Sequence, residues 1–222
     1  MANLRVDKIT STETFETTGS VQFDGAGDRL TLNNSNFVFG TLDFTIELFI
    51  YKSNTDSEIF FSQLSNSATG RDGIALGYQS SQLWILQGNG SSWQLETNVG
   101  SFSTNTWVHI AVSRDDSTTY YFIDGKLVYT YGTNVNLTAA NSGDIVIGNG
   151  GTTTDTYSFT GHISNLRVLK NKALYTKNFK PSMKELEVTP ETVLLCCQSK
   201  TDAILEKTGK TITASGNAVA NE

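Results

Sequence analysis

The sequence predicts an all-β protein: two antiparallel sheets packed face to face, with little or no helix. Three observations lead there. About a dozen short apolar segments follow one another, separated by Gly, Asp, Asn and Ser. Within them apolar residues recur at every second position, and no stretch holds the 3.6-residue period of an amphipathic helix. The 222 residues are 38% hydrophobic, 10% aromatic and 17% charged, with 19 glycines and 2 prolines. That balance excludes disorder, and glycine without a three-residue period excludes collagen. No apolar run approaches the ~20 residues that cross a bilayer, and the first residues lack the apolar core of a secretory signal.

The segments follow in order. VQFDGAGDRLTL reads as two short strands around the turn Asp24-Gly25-Ala26-Gly27-Asp28. In LDFTIELFIYK, Phe44, Ile46, Leu48 and Ile50 share one face, and Thr45, Glu47, Phe49 and Tyr51 the other. EIFFSQL, GIALGYQ, QLWILQ, SWQLETN and WVHIAVSR follow. TTYYFIDGKLVYTY then folds back on Asp124-Gly125, a pair suited to a type I′ turn. DIVIGN, SFTGHISNLRVL and TVLLCCQS complete the series, and Lys172 to Met183 is the one place where a helical turn is expected. Residues 1–20 read as an N-terminal arm or anchor and 21–199 as one sandwich. Residues 200–222 read as a last strand and a fraying tail.

Charge divides unevenly. Met1 to Asn165 holds 7 basic and 16 acidic residues, a net −9, while Leu166 to Glu222 holds 9 and 6, a net +3. Arg167, Lys170, Lys172, Lys177, Lys180 and Lys184 follow one another without an intervening acid, a stripe able to dock on an acidic partner surface. The overall −6 and the lack of a recognition motif disfavour nucleic acid. Cys196 and Cys197, adjacent on a strand, are expected as two reduced thiols, one on each face.

The succession VQFDGAGDRLTL, LDFTIELFIYK, TWVHIAVSRDDSTTYYFIDGKLV, DIVIGN and SFTGHISNLRVLKNKALYT resembles the laminin-G-like branch of the concanavalin A-like lectin/glucanase superfamily, from Val21 to about Tyr175. Trp107, His109 and the hairpin Asp124 to Lys126 carry most of it, supported by Phe159, Gly161, Ile163, Leu166 and Val168. The resemblance implies a jelly-roll sandwich. Thr192 to Ser199 after such a domain is similar to virion structural proteins of tailed phages, particularly marine and cyanobacterial ones. It implies a place on the virion, assembled in the bacterial cytoplasm, with other capsid or tail proteins as partners. Homo-oligomers and host-surface carbohydrate are further partners to expect.

Candidate chemistry is sparse. Glucan hydrolysis on this fold needs acids alternating on one strand, about 5–5.5 Å apart for retention. Glu47 stands alone on its strand, and Glu185-Leu186-Glu187 lies in a connecting segment. His109 and His162 lack a serine placed for a triad and read as structural. The chain is therefore expected to be no enzyme. Sugar binding would use loop aromatics with fixed polar groups, which selects Trp93 and Tyr157 with Asn89, Asp72 and Asp155. Calcium is the one candidate ion, implied by related laminin-G-like domains, with Asp72, Asp144 and Asp155 as candidate ligands.

Overall fold

The computed structural model describes residues 19–33, 35–64, 71–137, 144–151 and 157–222. Most of the N-terminal arm, Asp155 and parts of the two loops 66–73 and 149–157 lie outside them. The described residues form fifteen strands: β1 (Ser20–Asp24), β2 (Arg29–Asn33), β3 (Phe44–Lys52), β4 (Glu58–Gln63), β5 (Asp72–Gln79), β6 (Gln82–Asn89), β7 (Trp93–Val99), β8 (Trp107–Asp115), β9 (Thr118–Ile123), β10 (Lys126–Tyr131), β11 (Asp144–Ile147), β12 (Thr160–Lys170), β13 (Thr192–Cys196), β14 (Thr213–Ser215) and β15 (Val219–Asn221). A single 3-10 turn spans Ser35–Phe37.

Two antiparallel sheets result. The eight-stranded sheet runs β10-β9-β8-β3-β12-β1-β15, with β13 also paired to β12; the seven-stranded sheet runs β14-β2-β11-β4-β5-β6-β7. Strand β12 is long enough to carry two partners end to end. Residues 160–163 pair with β1, and 166–169 pair with β13. Between them Asn165 takes a left-handed φ of 51°.

The alternation of β3 is borne out, since Phe44, Ile46, Leu48 and Ile50 are fully buried between the sheets. Aromatic rings fill the centre: Phe39 stacks on Phe44 at 4.6 Å, and Phe159 meets Phe23 and Phe60 edge-on at 6.2 Å. At the end of β8 the Arg114 side chain is fully buried. It is held by the carbonyls of Leu42 (2.9 Å), Val135 and Gly40 (both 2.8 Å). Burial lowers its pKa to about 10, and the nearby Asp43 opposes that shift. The Asp124-Gly125 turn forms as expected, with φ of 49° and 72° between β9 and β10.

Three expectations need correction. Residues 172–183 carry no helix; they run as an irregular strap over the outer face of the eight-stranded sheet. Its hydrogen bonds go to that sheet instead of to itself: Thr45 Oγ1 donates to Lys172 O (2.9 Å), Leu174 N to Thr45 Oγ1 (3.0 Å) and Phe179 N to Gly125 O (2.9 Å). A β-carbon on Gly125 would lie 2.0 Å from Phe179 O, so both turn and strap require glycine there.

The cysteines are free, but both lie in the core, with their sulfurs 3.6 Å apart. Cys197 takes a φ of 61°, which breaks the strand alternation that would have separated them. The C-terminal residues do not fray. β14 extends the seven-stranded sheet beside β2, and β15 extends the eight-stranded sheet beside β1. The turn between them is pinned by Asp28, which is buried and accepts the Asn217 N–H at 2.6 Å.

Candidate functional site

The seven-stranded sheet shows apolar residues on both faces. Along β6, Leu83 and Ile85 enter the core, while Trp84 and Leu86 turn outward and cluster with Ile59 and Ala75. Register aligns Ile59, Gly77 and Trp84 across β4, β5 and β6. At Gly77 a β-carbon would meet Trp84 Cε3 at 3.3 Å and Glu58 O at 2.4 Å, so the missing side chain lets the indole settle on the sheet. Over it sits Tyr157, edge-on at 5.1 Å, its carbonyl accepting the Ile59 N–H at 2.9 Å. Tyr157 is 43% exposed.

The candidate glycan residues therefore divide. Trp93 pairs with Gly88 at the far end of β6 and packs, half-buried, against the same apolar cluster. Trp84 and Gly88 are four residues apart, or about 13 Å of strand, so Trp93 and Tyr157 mark two ends of one strip. Asn89 is held by its own turn, its Oδ1 accepting the Ser91 and Ser92 N–H groups at 3.0 and 3.1 Å. Asp72 is its register partner and is fully buried. Trp84 was missed as a site residue. Its signal was legible in QLWILQ, where apolar residues occupy both parities and so mark a strand covered on both faces.

Calcium finds no centre in this part of the molecule. Among the described residues no three His, Cys, Asp or Glu side chains group to hold a metal. Asp72 is buried, and Asp144 Oδ1 accepts the Asn33 amide N–H. With six to eight oxygens needed, the described residues do not fit the ion.

On the outer face of the other sheet, Glu47 is 2% exposed beneath the strap. Arg167 Nε donates to Glu47 Oε1 at 2.9 Å, the Tyr175 hydroxyl to Oε2 at 2.9 Å, and His109 Nε2 lies 3.5 Å from Oε2. Burial by itself would raise the Glu47 pKa. Hydrogen bonding to His109 and the charge of Arg167 outweigh it and hold the value low. Tyr175 is pushed up, by burial and by the Glu47 charge it faces. Phe179 stacks on Tyr175 at 3.6 Å and meets His109 edge-on at 5.7 Å. Among the described residues His109 Nδ1 has no hydrogen-bond partner.

This cluster corrects the basic stripe, because Arg167 points inward to Glu47 and leaves it. Lys172, Lys177, Lys180 and Lys184 remain exposed on the strap, and Lys170 is half-exposed beside them.

Residues 24–176 match the family model described as the concanavalin A-like lectin/glucanases superfamily. The chain belongs to this superfamily. Its strap beyond residue 176 and the strands β13 to β15 lie outside the matched region. No curated protein matches the sequence. Among solved structures, a Bacteroides ovatus protein named for a supposed carbohydrate-binding role is similar at TM-score 0.68 and 16% identity, covering 93% of this chain and 60% of its own. The heptameric SAP-like pentraxin of Limulus polyphemus gives 0.58 and 14%, over 91% and 94%. A Trypanosoma rangeli sialidase gives 0.56 and 14%, over 71% of this chain and 26% of its own. The chain thus spans 60% of the first of these and about a quarter of the last. At such identities they establish a lectin-like fold that binding proteins and enzymes share. No helix of the described residues is long and apolar enough to cross a membrane.

Proposed function

We propose that the chain is a non-catalytic, lectin-like structural protein of a phage particle, a capsid decoration or short surface appendage that contacts host-surface carbohydrate. The observation that carries the carbohydrate contact is Tyr157, exposed and held edge-on by Trp84 at one end of an aromatic strip whose other end is Trp93. An exposed ring braced by a buried one offers a sugar a flat apolar surface at little cost in side-chain entropy. The name of the Bacteroides ovatus protein points the same way. The virion setting rests on the similarity of TVLLCCQS and its preceding domain to phage structural proteins. The exposed strap lysines supply a surface for an acidic neighbour in the particle.

The non-catalytic reading is supported by Glu47. Its partners are a guanidinium, a phenol and an imidazole, with the strap above it, whereas glycoside hydrolysis needs a second carboxyl group and access for the sugar. A glycan array with the wild type, Tyr157→Ala and Trp93→Ala, with and without calcium, tests the binding. The wild type should retain at least one glycan that Tyr157→Ala loses, and binding to none rejects the lectin role. Localisation in a cryo-EM map of the particle tests the virion role and separates a capsid decoration from the alternative, a tail-associated receptor-binding lectin. Reducing-sugar release from host polysaccharide would restore a third reading, a depolymerase.

A further inference from the structure

Neighbouring side chains on a strand point to opposite faces, so Cys196, at the end of β13, and Cys197 after it should be separated. They are not. Cys197 takes a left-handed φ of 61°, which turns both thiols into the core and leaves their sulfurs 3.6 Å apart. A residue other than glycine is strained in that region, so its surroundings must hold it there. Asn165 N donates to Cys197 O at 3.2 Å. Gln198, the next residue, donates from Nε2 to Asn165 Oδ1 at 2.6 Å and to Leu186 O at 2.9 Å. The fold, and not the local sequence, brings the two sulfurs together.

Strand β12 pairs with one edge of β13, and residues 206–208 clip onto the other. Lys207 N donates to Leu195 O (3.0 Å), Thr208 Oγ1 to Val193 O (3.1 Å) and Leu195 N to Glu206 Oε1 (3.2 Å). A clip this short opens locally without global unfolding, which gives a small reagent a route to buried thiols. While it is closed, the hydrogen bond to Cys197 and burial push the Cys196 thiol well up and keep it protonated and unreactive. Both β13 and the clip lie outside residues 24–176, the region matched to the superfamily.

We propose that Cys196 and Cys197 form a reversible modification site, a vicinal dithiol that closes within the folded chain to an intramolecular disulfide by exchange with a low-molecular-weight disulfide such as oxidised glutathione. One cysteine thiolate attacks a sulfur of the reagent, releases one reduced thiol and leaves a mixed disulfide. The second thiolate then attacks the protein sulfur, expels the other thiol and closes the ring. The cysteines lose two protons and two electrons, and the reagent takes them up as two thiols. Bonding brings the sulfurs about 1.5 Å closer than they lie here. The joining peptide is trans, with α-carbons about 3.8 Å apart, below the ~4.4–6.8 Å that disulfides favour. The ring is therefore strained, and a strained disulfide is readily reduced. The site stands whether or not the chain binds carbohydrate.

The test equilibrates the full folded chain in mixtures of oxidised and reduced glutathione, quenches with acid, alkylates the remaining thiols and reads the intact mass. The incubation outlasts native alkylation of the wild-type thiols, so access does not limit it. The wild type should lose both alkylation sites together, with the mass of two hydrogens gone and no glutathione retained. Reduced glutathione alone should restore both sites. In urea, where nothing holds the φ of Cys197, closure should need at least a tenfold higher ratio of oxidised to reduced glutathione. Cys197→Gly, which takes the same φ without strain, and Cys197→Ser should close no ring and retain at most one glutathione. Folded wild-type thiols that neither alkylate nor oxidise, or that stay open at every ratio, overturn the proposal. So do two glutathione adducts, a disulfide between two chains, closure at the same ratio in urea, or a ring that resists reduced glutathione.

Discussion

The two outer faces of the sandwich have opposite fates. On the eight-stranded sheet the strap of residues 171–189 closes over β3, β8 and β12, and the polar groups there bond to one another: Glu47 with Arg167 and Tyr175, Thr45 with Lys172, Ser113 with Tyr175. On the seven-stranded sheet the described residues form a polar groove at one edge and leave a tyrosine exposed over the aromatic strip. A carboxylate sealed among protein partners is scaffold, however much its residue type suggests catalysis. Hydroxyls and a ring that reach solvent are groups a ligand could meet. The contrast gives one face a structural part and leaves the other for the recognition proposed above.

The strongest way to break that contrast is Glu47→Ala. It leaves the Arg167 guanidinium buried without its partner, and removing one half of a buried pair costs about 3–5 kcal/mol. Urea unfolding should show the loss, while glycan binding in the surviving folded fraction stays unchanged. Next comes Phe179→Ala, which strips the strap of its contacts with His109, Phe122 and Tyr175. For a half-buried ring the cost should be about 2–3 kcal/mol. Faster hydrogen exchange confined to residues 171–189 and the facing strands would locate it; uniform acceleration would mean that the strap is not a separate element.

Acid provides a third test. Because the folded Glu47 pKa lies below its ordinary value of 4.5, its contribution is fully present above that value and is lost as pH falls through the folded value. The wild type should lose stability between neutral and acidic pH more steeply than Glu47→Gln; parallel profiles would show that Glu47 does not set the slope. The smallest expected effect is on the other face. Tyr157→Ala should change stability by less than about 1 kcal/mol in a thermal melt. Its effect belongs in binding, and a large stability loss would recast Tyr157 as part of the fold.

Much of the architecture was legible in local pattern. The faces of β3, the Asp124-Gly125 turn and the strand succession followed from alternation and turn chemistry, which act over a few residues. The site was less legible. Tyr157 and Trp93 could be proposed as aromatics near loops, but their relation to Trp84 depends on the register of β4, β5 and β6. Arg167 read as one more member of a basic stripe, because its partner Glu47 lies 120 residues earlier. The helical turn expected at 172–183 failed for a related reason: the strap hydrogen-bonds to β3, β8 and a hairpin, all distant in sequence, and no local period reports that.

By itself the sequence determined a two-sheet β sandwich and the inward face of most of its strands. Side chains on a strand alternate with period two, and that rule needs no knowledge of the rest of the chain. Only the tertiary structure decided what lies on the outward faces. The strap covers one of them, and β14 adds a wall to the groove on the other. These arrangements join segments far apart in sequence, through contacts that become favourable only once both sheets have formed.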